Sequence, residues 1–164
     1  MSGEVRIKGL SELHAFLQQL PEKMEKNVLR GALRAGARVV ASEVQQRAPV
    51  RTGLLRGGVK VSTGGRGGTV VAKIKVTGKH AFVAPWLEYG VGAHQIAAKK
   101  GGWMAFAGVF AKSVQHPGIQ PRPFMRPALD SRAQAAVVAA AEYTKKRLAT
   151  KHGLDTKDVE IEAQ

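Results

Sequence analysis

Four prolines fall within residues 116–130, directly before an alanine-rich segment with the composition of a helix. Each proline fixes its own φ and biases the residue before it toward extended geometry, so the stretch holds one conformation without sheet hydrogen bonds. We call residues 116–130 the proline strap. Pro127 suits the first turn of the helix that follows. The strap also carries Arg122, Phe124, Met125 and Arg126, which suit a contact surface better than a reaction centre.

Two long helices are predicted. The segment from Glu22 to about Arg47 has an apolar stripe at helical spacing with a basic stripe opposite, and Pro49 ends it. A second stripe of small residues widens its apolar arc, which predicts contact with another helix of this chain or of another subunit. The last helix is predicted from about Pro127 to Thr150. Its expected inner face comprises Leu129, Ala133, Ala136, Val137, Ala140, Thr144 and Leu148.

The strands are predicted to be short. Val5–Lys8 alternates apolar and basic residues and is typical of an opening strand, which is followed by a short amphipathic helix over residues 11–20. Residues 57–62 and 69–77 alternate on either side of a glycine-rich turn, which predicts a hairpin with a flexible tip.

A second candidate hairpin joins residues 103–106 to 109–114, after an expected loop over 92–102. Together these elements predict an α+β fold, in which a small, mostly antiparallel sheet packs on the long helix of the N-terminal half and on the C-terminal helix. We expect one domain over residues 1–154, with Gly153 as the helix C-cap, and an acidic, flexible tail over 155–164.

The chain is strongly basic. It has 26 Lys and Arg residues against 12 Asp and Glu, a net charge of +14, and four of the acids lie in the last ten residues. The first 154 residues therefore carry 25 basic and 8 acidic side chains, or +17. Such a body attracts polyanions or acidic protein faces, and this attraction weakens with salt.

Several kinds of site are not predicted. The chain has no cysteine, which excludes disulfides and thiolate metal sites. Its histidines lack metal-ligand spacing, although His94 and His116 could meet across the second hairpin. The serines lack a nucleophile-elbow context, and the glycine-rich turn lacks the Lys-Ser/Thr ending of a phosphate loop. We therefore predict no catalytic residue, no metal and no cofactor. Neither a signal-like N-terminus nor an apolar stretch of membrane-spanning length occurs.

Three motifs follow one another along the chain. Residues 48–56 read APVRTGLLR after the long helix, residues 86–90 read WLEYG, and residues 116–128 read HPGIQPRPFMRPA before the last helix. In this order they resemble a family of small tail components, gp-ten-like, made at the head-to-tail junction of long-tailed lambdoid bacteriophages. In that family the first motif is a turn, the second is the end of a strand, and the third opens the last helix.

The resemblance implies a structural virion protein of the neck or tail-completion type, which joins the head connector to the tail. Related proteins commonly form rings around the axial DNA channel, so a homo-oligomeric ring is implied, with a hexamer as one stoichiometry. The implied partners are connector or stopper proteins on the head side and terminator or tail tube proteins on the tail side. Passing DNA would be contacted without sequence specificity, and no membrane is involved. The protein would be made in the host cytoplasm and would reside in the virion.

Five residues are candidates for the interface. They are Arg51, Arg56, Glu88, Arg122 and Arg126. Glu88 lies among apolar residues in a basic landscape, so we expect it to pair with an arginine of the strap or of the Arg51 turn, within the subunit or across an interface. Phe124 and Pro127 are assigned mainly to the subunit's own core.

Two other classes of function stay open at this point. A basic nucleic-acid-binding protein would explain the charge, although the motifs of a sequence reader are missing. A small hydrolase would use Glu88 with His94 or His116, although no partner acid, nucleophile or metal can be assigned to it.

Overall fold

The computed structural model describes Gln18 and residues 22–66, 69–106 and 108–152. The predicted opening strand, the short helix before Glu22 apart from Gln18, and the Gly153 cap with the acidic tail lie outside these residues. The described elements form a mixed α+β fold of two long helices and small antiparallel two-stranded sheets, which confirms the predicted fold class.

The two long helices pack against each other in antiparallel orientation. Helix α1 spans Glu22–Arg47, as predicted, and α4 spans Met125–His152, about two residues longer at each end than expected. A Cβ atom at Gly36 would lie 2.5 Å from the carbonyl oxygen of Ala136, so the backbones approach closely at this glycine. Nearer the other end, Arg132 of α4 contacts Glu43 of α1 through Nε and Oε2 at 2.8 Å.

The first hairpin packs on α1. A short helix, α2 (Leu54–Gly57), leads into β1 (Val59–Arg66), which pairs with β2 (Thr69–Val76) in a register from Val59 opposite Val76 to Arg66 opposite Thr69. The predicted hairpin is confirmed. The turn before α2 depends on Gly53, whose φ of 75° lies in the left-handed region.

The structure of residues 83–89 differs from the predicted one. The WLEYG motif was expected to be the end of a strand, but Val83–Tyr89 forms a helix, α3, and Gly90 follows it with a φ of 74°. Pro85 was interpreted as an irregularity in a strand. It is the third residue of α3, where a helix has no intrahelical partner for a backbone N–H, so proline costs little.

The segment from Val91 to Ile119 forms a two-part β-ladder that we call the arm. Strand β3 (His94–Ala97) pairs with β6 (Ser113–His116), and further out β4 (Met104–Phe106) pairs with β5 (Val109–Ala111). A 3-10 turn at Lys99–Gly101 and a bridge between Val91 and Ile119 complete it. The outer hairpin was predicted, whereas β3 was expected to be part of a loop.

The core lies between α1, α4 and the first hairpin. Its most buried large side chains are Phe124, Leu148, Val28 and Val44. The assignment of Phe124 to the core is confirmed, with 1% exposure, and Pro127 is half-buried.

The predicted inner face of α4 is only partly correct. Thr144 and Leu148 are buried, but Leu129 and Val137 are 53% and 45% exposed, and Ala128 and Ala141 are buried instead. Alanine occurs on every side of α4, so the spacing of apolar residues does not define which face packs on α1. That face is set by the close approach of α4 to the glycines of α1.

Candidate docking surfaces around the proline strap

Glu88 holds the beginning of α4. Its Oε2 accepts the backbone N–H groups of Phe124 and Met125 at 2.8 and 2.9 Å, and its Oε1 accepts that of Arg126 at 2.9 Å. These are the amides that a helix N-terminus leaves without intrahelical partners. Glu88 itself lies on α3 and is 6% exposed. A carboxylate from α3 therefore caps α4 and ties the WLEYG motif to the proline strap.

The environment of Glu88 favours the charged form. Burial opposes ionisation of this carboxyl, but the three amide hydrogen bonds and the positive charge of Arg126 outweigh it, so the pKa of Glu88 lies below its ordinary value. The partial positive charge at the helix N-terminus acts in the same direction.

Arg126 is the strap arginine beside Glu88. Its Nε lies 3.9 Å from Oε1 of Glu88, and its guanidinium carbon lies 4.7 Å from the centre of the Tyr89 ring. The Arg126 side chain is 64% exposed, so the ion pair is weak and the guanidinium remains accessible. The expected pairing of Glu88 with a strap arginine thus occurs within the subunit, although backbone amides provide its main contacts.

Arg51 and Arg122 line one cleft. It has a volume of about 570 Å³, lies between the turn before α2 and the strap, and also includes His80 and Leu87. The backbone N–H of Arg122 donates to the carbonyl oxygen of Leu87 at 2.6 Å, which fixes this part of the strap against α3. The fold therefore brings all three sequence motifs together. Arg56 is exposed on α2 and lines neither this cleft nor the smaller one that contains Glu88 and Arg126.

Glu43 joins the two long helices, and sequence reasoning missed it. Its Oε1 accepts a hydrogen bond from Arg47 at 2.7 Å and its Oε2 one from Arg132 at 2.8 Å. The hydrogen bonds from Arg132 and then from Arg47 lower the pKa of Glu43. An acid followed four residues later by an arginine was visible in the sequence, but the partner on α4 depends on the helix packing.

The arm exposes large apolar side chains that were not proposed as interface residues. Trp103 and Phe110 are 66% and 71% exposed, and Val109 is 53% exposed. The ammonium of Lys112 lies 5.4 Å from the centre of the Trp103 ring. The three aromatic residues of the short hairpin segment, Trp103, Phe106 and Phe110, were the sequence signal that could have identified this surface.

The two histidines of the arm do meet, as the sequence suggested. The rings of His94 and His116 stack with centres 5.0 Å apart, and Nδ1 of His116 accepts the N–H of Gly118 at 3.0 Å. Among the described residues, no group of three or more His, Cys, Asp or Glu side chains is placed to hold a metal. None of the helices that the structure describes is long and apolar enough to cross a membrane.

Comparison with known proteins gives one family match. Residues 11–90 match the family model described as "Bacteriophage HK97-gp10, putative tail-component". The matched part includes α1, the first hairpin and α3, whereas the arm and the proline strap follow it. No curated protein and no solved structure matches the chain. The match confirms the predicted resemblance to this family over residues 11–90, which include the first two motifs, whereas the third motif lies beyond them.

Proposed function

We propose that this chain, a tail component of the HK97-gp10-like phage family, joins the DNA-filled head to the tail. Its role is stereospecific docking without catalysis. The proposal includes a neck or tail-completion position in the virion and assembly as a ring around the DNA channel. The partners are connector or stopper proteins on one side and terminator or tail tube proteins on the other.

The arm is the observation that carries the proposal. Trp103, Val109 and Phe110 leave apolar area in water, and no described helix covers them. Burying such area against a partner is favourable, and aromatic residues are enriched at the centres of protein interfaces. The arm is therefore the docking element that inserts into a neighbouring subunit or partner ring.

The basic charge supports docking onto acidic faces. Arg30, Arg34 and Arg38 are exposed along one side of α1, on a chain with a net charge of +14. Complementary charge speeds encounter and fixes orientation, and both effects weaken with salt. The alternative, a nucleic-acid-binding protein, requires the isolated chain to bind duplex DNA with a steep salt dependence. A connector requires little such binding at physiological salt.

The geometry gives no support to a hydrolase. Both oxygens of Glu88 accept backbone hydrogen bonds, and its pKa is lowered, whereas a general acid or base near neutral pH needs a raised carboxyl pKa.

Complementation tests the proposal. A phage that carries this gene and lacks a functional copy is supplied with Trp103→Ser and Phe110→Ser, or with the exposed arm variant Lys99→Ser as the matched control. We expect the double variant to keep its free energy of unfolding and to fail to restore infectious particles, while Lys99→Ser restores them. Full restoration by the double variant would contradict the role of the arm.

A further inference from the structure

One face of the outer hairpin of the arm carries two exposed rings. Ala105 of β4 lies directly opposite Phe110 of β5, and Trp103 precedes Ala105 by two residues, so the three side chains point to the same side. Lys112 shares this side, because it follows Phe110 by two residues and its Nζ lies 5.4 Å from the centre of the Trp103 ring. Val109 alternates with Phe110 and lies on the other side. We call Trp103, Ala105, Phe110 and Lys112 the aromatic face of the arm.

The aromatic face leaves a large apolar area in water. Trp103 and Phe110 are 66% and 71% exposed. At roughly 200 Å² for each aromatic side chain, the two rings expose about 270 Å². A stable protein interface buries about 800 Å² on each partner. The two rings can therefore supply about a third of such a contact.

An apolar groove between the two long helices and β2 is the surface that matches the aromatic face. Its volume of about 500 Å³ is in the range of pockets that hold drug-sized molecules, so two rings have room there. Leu33 of α1 and Leu129 and Val137 of α4 lie on it and are 36%, 53% and 45% exposed. Arg126 is the charged residue on its lining, and Glu88 offsets part of that charge. The groove therefore offers mainly apolar contacts.

The aromatic face and the groove do not meet within one subunit. No described residue of the arm lines the groove, and the exposure of Trp103 and Phe110 shows that neither ring packs into it. Two hydrogen bonds between Val91 and Ile119 fix the base of the arm, and the bond from Arg122 to Leu87 fixes the strap beyond it. A second copy of the chain can supply each surface with the one that it lacks.

Charge also favours a second copy as the occupant of the groove. Residues 91–119 contain three lysines, including Lys112, and no acid. Asp130 is exposed and lies on the stripe of α4 between Arg126 and Val137, which both line the groove. Within the described part of the chain, no ion pair involves Asp130. An acid at the edge of the groove is therefore available to a lysine of the arm that docks there, and such pairs fix orientation.

We propose that the aromatic face of one subunit docks into the groove of a second copy of the chain. Trp103 and Phe110 then lie against Leu129 and Val137, and Lys112 lies beside Asp130. The contact joins two different surfaces, so it repeats from copy to copy and closes into a ring. The inference rests on the ring assembly of the proposed function and names the contact that forms the ring.

Mixing two defective variants tests this contact in the full chain. Trp103→Ser with Phe110→Ser removes the aromatic face, and Val137→Asp places a charge in the groove at an exposed position. In sedimentation experiments the wild type should form assemblies larger than a dimer, and each variant alone should be a monomer. Their equimolar mixture should form a dimer, because one variant keeps its groove and the other keeps its arm. Ala135→Asp, exposed on α4 outside the groove, is the control and should assemble as the wild type does.

Cross-linking identifies the surfaces that meet, since the chain has no cysteine of its own. A chain with Phe110→Cys is mixed with a chain with Val137→Cys under mild oxidation, and disulfides between the two are measured by mass. We expect this pair to link several-fold faster than Val109→Cys with Val137→Cys, because Val109 lies on the other side of the hairpin. Asp130→Lys in the groove chain should slow the linking several-fold, and Lys112→Glu in the arm chain should restore it.

Three outcomes would overturn the docking. They are a mixture of the two defective variants that stays monomeric, equal linking rates for residues 109 and 110, and a disulfide within one copy when a single chain carries both Phe110→Cys and Val137→Cys. Slow linking that Lys112→Glu does not relieve would overturn the pairing with Asp130. Failure of the head-to-tail joining role is distinguishable from these results: if only the docking is wrong, particles that lack the protein still show unjoined heads or tails.

Discussion

Oε2 of Glu88 accepts the backbone N–H of Phe124 at 2.8 Å, across 36 positions of sequence. This contact fixes where α4 begins and places Phe124 in the core. It also holds the strap arginines at the surface on either side of a buried anchor. Contacts from α3 therefore fix the backbone of the strap, and this backbone determines the positions of Arg122 and Arg126 at the surface.

Replacing the Glu88 carboxylate tests this anchor. In Glu88→Gln the charge is lost, and an amide group that donates hydrogen bonds takes the place of one acceptor oxygen. We expect a loss of about 1.5–3 kcal/mol in the free energy of unfolding, measured with urea, because hydrogen bonds to charged groups are worth this much. Glu142→Gln, at an exposed position of α4, the helix that Glu88 caps, is the control and should change the free energy of unfolding by less than about 0.5 kcal/mol. A Glu88→Gln chain as stable as the wild type would refute the capping role.

Lowering the pH should remove the contribution of Glu88 to the free energy of unfolding. Because the pKa of Glu88 is lowered by folding, its stabilisation is complete above the unfolded-state value of about 4.3 and is lost as pH falls through the folded-state pKa. Glu43 acts with the same sign, so the comparison with Glu88→Gln isolates Glu88. The difference in unfolding free energy between the two chains should be constant from about pH 6 to 8 and should shrink below about pH 4.3. A difference that grows on acidification would have the wrong sign.

The helix crossing at Gly36 should not tolerate a methyl group. In Gly36→Ala the added Cβ would lie 2.5 Å from the carbonyl oxygen of Ala136, so α1 and α4 must separate. We expect a net loss of about 1–3 kcal/mol in the free energy of unfolding. Gly57→Ala is the control, since nothing lies within 4 Å of its added Cβ. Thermal unfolding of both variants measures this difference in stability. Equal midpoint temperatures for Gly36→Ala and Gly57→Ala would contradict the close helix crossing.

The exposed strap arginines should matter for docking and not for folding. Arg122→Gln and Arg126→Gln leave the backbone contacts of the strap in place, so each should change the free energy of unfolding by less than about 1 kcal/mol. If these guanidiniums contact a partner, the double variant should lower the yield of joined particles. Lys146→Gln combined with Lys151→Gln, both exposed on α4, provides the matched loss of two positive charges. A normal yield from the double variant would remove both arginines from the interface.

Elements with strong local signals were predicted well. The bounds of helix α1 were predicted correctly because it has two apolar stripes and is followed by Pro49. The first hairpin was predicted correctly because apolar and polar residues alternate along both of its strands, with glycines between them. Helix α3 was predicted wrongly because Pro85 disfavours a strand and is also tolerated in the first turn of a helix. Strand β3 was missed because all four of its residues are exposed, so it has no apolar face.

The candidate site depends on tertiary placement. The position of Glu88 among apolar residues predicted a specific partner, but its acceptance of three amides from the strap follows from where α3 and α4 meet. Similarly, the arginines of the first and third motifs were predicted as surface residues. The cleft that Arg51 shares with Arg122 is created only when the strap folds back over the turn before α2.

Electron microscopy of particles made without this protein tests the head-to-tail joining role most directly. If the chain joins head to tail, a phage that carries the gene but cannot express it should produce unjoined heads or tails, and the wild-type protein supplied in trans should restore joined particles. Complete, joined virions in the absence of the protein would contradict the account.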